Sequence, residues 1–265
     1  MSWLQILILA LVQGITEFLP ISSSGHLILV PQLTDWPDQG LAMDVAVHVG
    51  TLGAVMLYFR GDVAALCRGA LASVGVGKAA ADKRLFWLLV LATVPVVILG
   101  VALKLAGYDD TLRDPVIIAY ASIGFGILLY VADKIAPRRK TIAGLGVGQT
   151  LLIGLAQALA LIPGASRAGT TMTAARALGF TRPEAARFSM LMSIPTITAA
   201  GLLLSLDLIS AGVGITLDMA IGAVLAFVSA LAAIHFLMRW LERASMSVFV
   251  VYRVALGAFL LWVFA

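Results

Sequence analysis

The chain has 265 residues, 61% hydrophobic and only 12% charged, with a mean hydropathy of +1.03. Ordinary soluble domains carry about twice that charge, so a water-soluble globule is excluded and the solvent of most of the chain is lipid. A single cysteine, Cys67, excludes a disulfide framework and a thiol cluster, and histidines scattered at 26, 48 and 235 make no metal cage. The net charge of +4 is not gathered into the aromatic-interleaved basic run that binds nucleic acid.

Uncharged or nearly uncharged stretches fall at about 3–30, 41–59, 85–107, 115–132, 141–180, 188–206, 219–238 and 247–265. A helix crossing the hydrocarbon needs about 20 residues, so six of these predict one crossing each. The stretches 3–30 and 141–180 are long and interrupted near their middles. The first holds Pro20 with Ser22, Ser23, Ser24 and Gly25, and the second holds Pro163, Gly164, Ser166 and Gly169. Proline removes a backbone donor and glycine loosens the helix, so both are expected to break and form re-entrant helical hairpins. The first has no basic N-terminal region and carries Glu17 within its apolar part, which argues against a cleaved signal peptide.

Sorting the basic residues gives an orientation. With the N-terminus outside and 41–59 running inward, segments 60–84, 133–140, 176–187 and 239–243 are cytoplasmic and hold 14 of the 18 Lys and Arg. The opposite loops, 31–44, 107–114 and 205–218, hold eight Asp and one basic residue, Arg113. The assignment requires that neither hairpin crosses, the first dipping in from outside and the second from the cytoplasm. Lys104 and Arg253 are expected to snorkel to the interface; Glu17 and Arg167 have no such route. His235 is expected near the cytoplasmic interface, and Trp3, Trp36, Trp87, Trp240 and Trp262 near span ends.

The order hairpin, span, span, span then occurs twice with opposite orientation. Gln13 to Gly25 and Gln157 to Gly169 repeat the same twelve-residue separation, with a proline and a serine between, at an offset of 144. The predicted fold is an all-α polytopic membrane protein, a single membrane domain of six transmembrane helices and two re-entrant hairpins, in an inverted-topology repeat with halves of about 1–140 and 141–265. Such repeats place a site near the midplane, but the architecture does not choose between transport and catalysis.

An ionisable residue in mid-helix costs about 2.5 to 3.5 kcal/mol on insertion scales, so Glu17 and Arg167 each need a reason. The plain alternative is that they only pair with each other. Their surroundings are richer than that requires. In QGITEFLPISSSGHL, residues 13–27, Gln13 and Glu17 share a helix face, and Ser22, Ser23, Ser24, Gly25 and His26 open a second half-helix. In LIPGASRAGTT, residues 161–171, Ser166 and Arg167 again follow a break. Two helix N-termini approaching the midplane with an arginine fork between them suit a phosphate. Asp44, His48 and Thr51 share a face and are candidates for lining a cavity, with helix packing an equally good reading.

QGITEFLPISSSGH together with PGASRAGTT resembles the signature regions of the integral-membrane undecaprenyl pyrophosphate phosphatases, the bacitracin-resistance protein family of bacteria. The resemblance covers essentially the whole chain. It implies hydrolysis of undecaprenyl diphosphate to the lipid monophosphate used in cell-wall synthesis, in the bacterial cytoplasmic membrane. It implies a divalent cation, magnesium or calcium, at Gln13 and Glu17, and catalytic roles for Glu17, Ser23, His26 and Arg167. Phosphate binding is expected at Ser22, Ser24, Gly25, Ser166, Arg167 and Thr171, in a cavity open to the periplasmic or extracellular side. Gln13 leaves one fewer carboxylate for a cation than a glutamate there would. Whether Ser23, His26 or water is the nucleophile stays open, and a homodimer is within what the resemblance allows. The alternative functions are a transporter or flippase of a polyprenyl phosphate lipid and a purely structural membrane subunit.

Overall fold

The structure is a computed structural model that describes residues 1–34, 36–107 and 114–265. Asp35, Asp109, Asp110 and Arg113, which entered the charge sorting, lie outside the described residues. Eleven α-helices make up the described chain: α1 (Trp3–Thr16), α2 (Ser23–Thr34), α3 (Gly40–Tyr58), α4 (Arg60–Ser73), α5 (Ala80–Ala106), α6 (Pro115–Ile135), α7 (Val147–Ala158), α8 (Arg167–Ala177), α9 (Arg182–Ser210), α10 (Leu217–Arg243) and α11 (Ser247–Phe264). Six of them, α3, α5, α6, α9, α10 and α11, are long and apolar enough to cross a membrane. They coincide with the six uninterrupted stretches of the sequence. Helix α4 fills part of the basic segment 60–84, for which no helix was expected.

Both long stretches break where their proline, serine and glycine residues fall, giving α1 and α2 around 17–22 and α7 and α8 around 159–166. Ser22 and Ser166 are the two described non-glycine residues with left-handed backbone, at φ 74° and 70°, and they are 144 positions apart. Each caps the helix that follows: Ser22 Oγ accepts from the Gly25 amide at 3.3 Å and Ser166 Oγ from the Gly169 amide at 3.1 Å. A non-glycine residue in this region costs about 1–3 kcal/mol, and the cap bond offsets part of it. Gly164 also has positive φ, at 89°, and a Cβ there would meet the Ile118 carbonyl oxygen at 2.5 Å. The second break therefore packs directly on the backbone of α6.

Helix α10 packs on α1 and α3, α5 packs on α7 and α9, α6 pairs with α11, and α3 with α9. Close approach uses small residues, as expected where lipid gives helices no hydrophobic reason to associate. A Cβ on Gly50 of α3 would lie 2.1 Å from the Ala223 carbonyl oxygen of α10. The main apolar core runs from Phe18 and Ile21 in the first break through Met172, Phe188 and Met192 to Ile234 and Phe249.

The four basic segments converge at one end. Arg182 forks onto Asp133 with bonds of 2.7 Å from Nε and Nη2, Arg176 Nε donates to the same carboxylate at 3.1 Å, and Arg187 pairs with Asp62. Arg182 also reaches the Ala244 carbonyl at 3.1 Å. Arg176 is fully buried, so it and Arg182 are buried structural cations rather than the solvated loop charges of the sequence reading. At the other end Lys104 pairs with Asp207 at 2.5 Å and the N-terminal ammonium with Asp218 at 3.2 Å. Exposed Trp3, Trp87 and Trp262 fall near helix ends, and His235 is exposed, with an edge contact to Tyr58.

Arg253 departs from expectation. It does not snorkel. Its guanidinium is fully buried and donates to the carbonyls of Ser122, Pro20, Gly164 and Ala165 at 3.1, 3.1, 2.8 and 3.0 Å. These carbonyls belong to α6 and to both breaks, where chain that has left the helix has oxygens to satisfy. A buried guanidinium with five donors does this at one point.

Candidate active site

The two breaks meet, and a cavity of about 610 Å³ opens beside them. Its polar floor is made by Glu17, Ser22, Ser23 and Ser24 from the first break and Ser166 and Arg167 from the second. Its walls are α3, from Leu41 to Leu52, and α9, from Thr196 to Ser205. Asp44 and His48 are the ionisable side chains that α3 contributes.

Glu17 is the hub. Its carboxylate is 5% exposed and accepts from Ser23 Oγ at 2.6 Å and Gln13 Nε2 at 2.9 Å on one oxygen, and from Arg167 Nη2 at 3.1 Å on the other. Residues 17 and 167, remote in sequence and in different halves, therefore form one buried ion pair. Arg167 is further held by the Ser189 carbonyl at 3.1 Å, and its guanidinium carbon lies 5.9 Å from the centre of the Phe18 ring. A buried charge pair with its remaining lone pairs and protons satisfied is tolerated where a lone charge would not be. The helix starts of α2 and α8 both face the cavity through Ser23, Ser24 and Arg167, so their first-turn amides add to its positive character.

Several sequence-predicted residues are elsewhere. His26 does not line the cavity: its Nδ1 is 2.7 Å from the Ser22 carbonyl and its Nε2 is 2.5 Å from the Tyr252 hydroxyl, on whose ring it stacks. The helical turn from Ser22 to His26 carries the imidazole to the α11 side, away from Glu17. Thr171 is fully buried against Ser189 Oγ at 2.7 Å, one turn beyond the helix start, and Gly25 is buried in the α6 contact. Neither lines the cavity. Of the α3 face, His48 reaches the site with Nε2 3.7 Å from Glu17, whereas Thr51 is buried with its hydroxyl on the His48 carbonyl at 2.9 Å. Sequence reasoning left His48 open between cavity lining and helix packing, placed Arg253 at the interface and gave Tyr252 no role. The i, i+4 pairing of Asp44 with His48 was the available signal for the first.

The residues do not fit a resident divalent cation. Magnesium and calcium take six or more oxygen ligands, most of them anionic or water. Of the two carboxylates that line the cavity, Glu17 already receives three donors, one of them a guanidinium, and Asp44 accepts from the Gln39 side-chain amide. Gln13 turns its amide nitrogen to Glu17, leaving its buried oxygen without a partner, and that oxygen does not line the cavity. No group of three or more His, Cys, Asp or Glu side chains gathers anywhere among the described residues.

Comparison with known proteins bears on the whole chain. The family model described as bacitracin resistance protein BacA matches residues 6–259. The undecaprenyl-diphosphatase of Erythrobacter litoralis is 49% identical over 282 residues, covering 98% of this chain and 99% of that relative. The undecaprenyl-diphosphatase of Alcanivorax borkumensis is 51% identical over 263 residues, with 99% of both chains covered. Undecaprenyl-diphosphatase 2 of Stutzerimonas stutzeri is 49% identical over 270 residues, covering 100% of this chain and 99% of its own.

Proposed function

The chain belongs to the bacitracin resistance protein BacA family, and from that membership and the cavity's chemistry we propose that it hydrolyses undecaprenyl diphosphate to undecaprenyl phosphate and inorganic phosphate. The observation that carries the proposal is the meeting of Ser23, Glu17 and Arg167 at the floor of an otherwise apolar cavity. The transporter reading draws no support from the relatives' names, and a purely structural subunit leaves this buried polar floor without a purpose.

The contacts support the following mechanism as part of the proposal. Ser23 Oγ is the nucleophile on the terminal phosphorus, and its proton passes to Glu17, to which it already donates. Arg167 and the amides that open α2 and α8 stabilise the charge that grows on the phosphoryl oxygens. Ser22, Ser24 and Ser166 border the same space and are proposed phosphate contacts. His26 is a positioning residue in this scheme, pinning the Ser22 carbonyl and with it the turn that presents Ser23. The magnesium or calcium implied by the resemblance is proposed to arrive on the diphosphate, since Gln13 and Glu17 offer it no cage.

Membrane placement belongs to the same proposal. The cavity walls run toward Leu41 and Ser205, at the end that carries Asp207 and away from the basic segments. By the charge rule that end is outside, so the head group is taken from the periplasmic or extracellular leaflet of the bacterial cytoplasmic membrane. The two helical breaks, each dipping to the midplane and returning, are proposed as the re-entrant hairpins of an inverted repeat. The equal offset of Ser22 and Ser166, and the parallel packing of α10 on α1 and of α5 on α7, support it. A polyprenyl tail gains about 0.8 kcal/mol per methylene from staying in hydrocarbon, so the apolar walls need only admit it. The homodimer is part of the proposal as well, tested by the mass of the purified particle.

Purified protein in detergent, given undecaprenyl diphosphate and a divalent cation, is expected to release inorganic phosphate, with Glu17→Gln and Arg167→Ala each slower by about 100-fold or more. Absence of phosphate release by the wild type, or unchanged release by both variants, overturns the proposal.

A further inference from the structure

A route through phosphoserine needs a base twice: once for the serine hydroxyl and once for the water that frees the phosphate. Glu17 serves the first step. While the phosphoserine stands, its carboxyl holds the proton that Ser23 Oγ must recover on leaving. A second acceptor is therefore required, and it must face the same space without taking the serine proton.

His48 has that geometry. It stands on α3 and lines the cavity, with its side chain 32% exposed, so a small molecule held in the cavity can reach it. Its Nδ1 is 2.7 Å from the Asp44 carbonyl, an oxygen that can only accept, so Nδ1 carries hydrogen and the neutral ring keeps its lone pair on Nε2. Nε2 lies 3.7 Å from the Glu17 oxygen that Ser23 engages, beyond hydrogen-bond length and within the reacting space. The titratable and charged groups that share the cavity with it are Glu17, Asp44 and Arg167. Asp44 accepts from the Gln39 side-chain amide at 2.9 Å, and its backbone carbonyl oxygen stands 2.7 Å from the ring Nδ1. His26, the histidine of the serine-rich motif, has both nitrogens bonded outside the cavity.

Resting on the phosphatase reading above, we infer that His48 is the general base for the second half of the reaction, activating the water that cleaves the phosphoserine at Ser23. In the first half, Ser23 Oγ bonds to the terminal phosphorus, the bridging P–O bond breaks with its electrons going to undecaprenyl phosphate, and the serine proton rests on Glu17. In the second, a water oxygen bonds to that phosphorus while its proton passes to His48 Nε2. The Ser23 Oγ–P bond breaks, and Oγ recovers its proton from Glu17. Inorganic phosphate leaves, and His48 returns its proton to solvent.

The test is a rapid-mixing experiment on His48→Gln and His48→Ala in detergent with undecaprenyl diphosphate. His48→Gln is expected to release one equivalent of undecaprenyl phosphate per protein at close to the wild-type rate and then turn over about 100-fold or more slowly, with the phosphoryl group retained on the protein. Added imidazole is expected to restore turnover to His48→Ala, which a packing role does not predict. Steady-state turnover of His48→Gln within about threefold of wild type overturns the inference, as does loss of the initial equivalent along with turnover. If the wild type itself yields no inorganic phosphate, the phosphatase reading fails instead.

Discussion

The Ser22 hydroxyl oxygen accepts from the Gly164 amide at 3.2 Å, a bond from the first helical break to the second across 142 positions of sequence. The same oxygen accepts from the Gly25 amide, so one side chain closes its own helix and ties it to the opposite half. Ser22→Ala leaves both amides buried and unpaired, at about 1–3 kcal/mol for an unsatisfied buried group. A lower unfolding temperature in detergent is expected together with slower phosphate release, because the turn it fixes also presents Ser23.

Arg253 backs the same junction from α11. Arg253→Met strips the Pro20 and Ala165 carbonyls of their donor and leaves the Gly164 carbonyl only the Ser122 hydroxyl at 3.5 Å, and Arg253→Lys keeps the charge but cannot reach all three at once. Both variants are expected to lower kcat by about tenfold or more with a smaller change in KM, since the residue orders the site without lining the cavity. Equal activity of Arg253→Lys and wild type contradicts this positioning role.

The spans were legible because lipid demands long uncharged runs, and the breaks because proline, glycine and serine cluster where those runs are too long. Glu17 and Arg167 stood out as charges without an escape to water. Side-chain direction was less legible. His26 follows the motif yet turns toward Tyr252, since four residues of helix beyond Ser22 point it to α11. Arg253 sits in the second turn of α11 and reads as interfacial; only the carbonyls of three other segments, brought together by tertiary packing, explain its burial. Arg176 and Arg182 looked like loop charges because Asp133, their partner, is more than 40 residues away.

That triad carries its own prediction. Asp133→Ala leaves two guanidinium groups, one fully buried, without their carboxylate, and breaking a buried pair costs about 3–5 kcal/mol. Thermal unfolding in detergent is expected to fall sharply for Asp133→Ala. The KM of any protein that survives should be unaltered, because Asp133 lies at the end away from the cavity mouth.

Topology has a direct check. Cys67 is the single cysteine and is exposed, so it is first replaced by serine. In that background Asp38→Cys is expected to react with a membrane-impermeant thiol reagent from outside intact cells, and Arg138→Cys only after the membrane is opened. Labelling of both from the same side contradicts the inverted arrangement.

The central claim is that Glu17 and Arg167, one from each half of the chain, act on a single diphosphate. A double-mutant cycle on phosphate release measures it, using Glu17→Gln, Arg167→Ala and the two combined. Groups that work as a unit lose their effect once, so kcat/KM of the double variant is predicted to lie within about threefold of the slower single variant. A double variant slowed by the product of the two single losses would mean that the residues act independently, and would contradict the shared site.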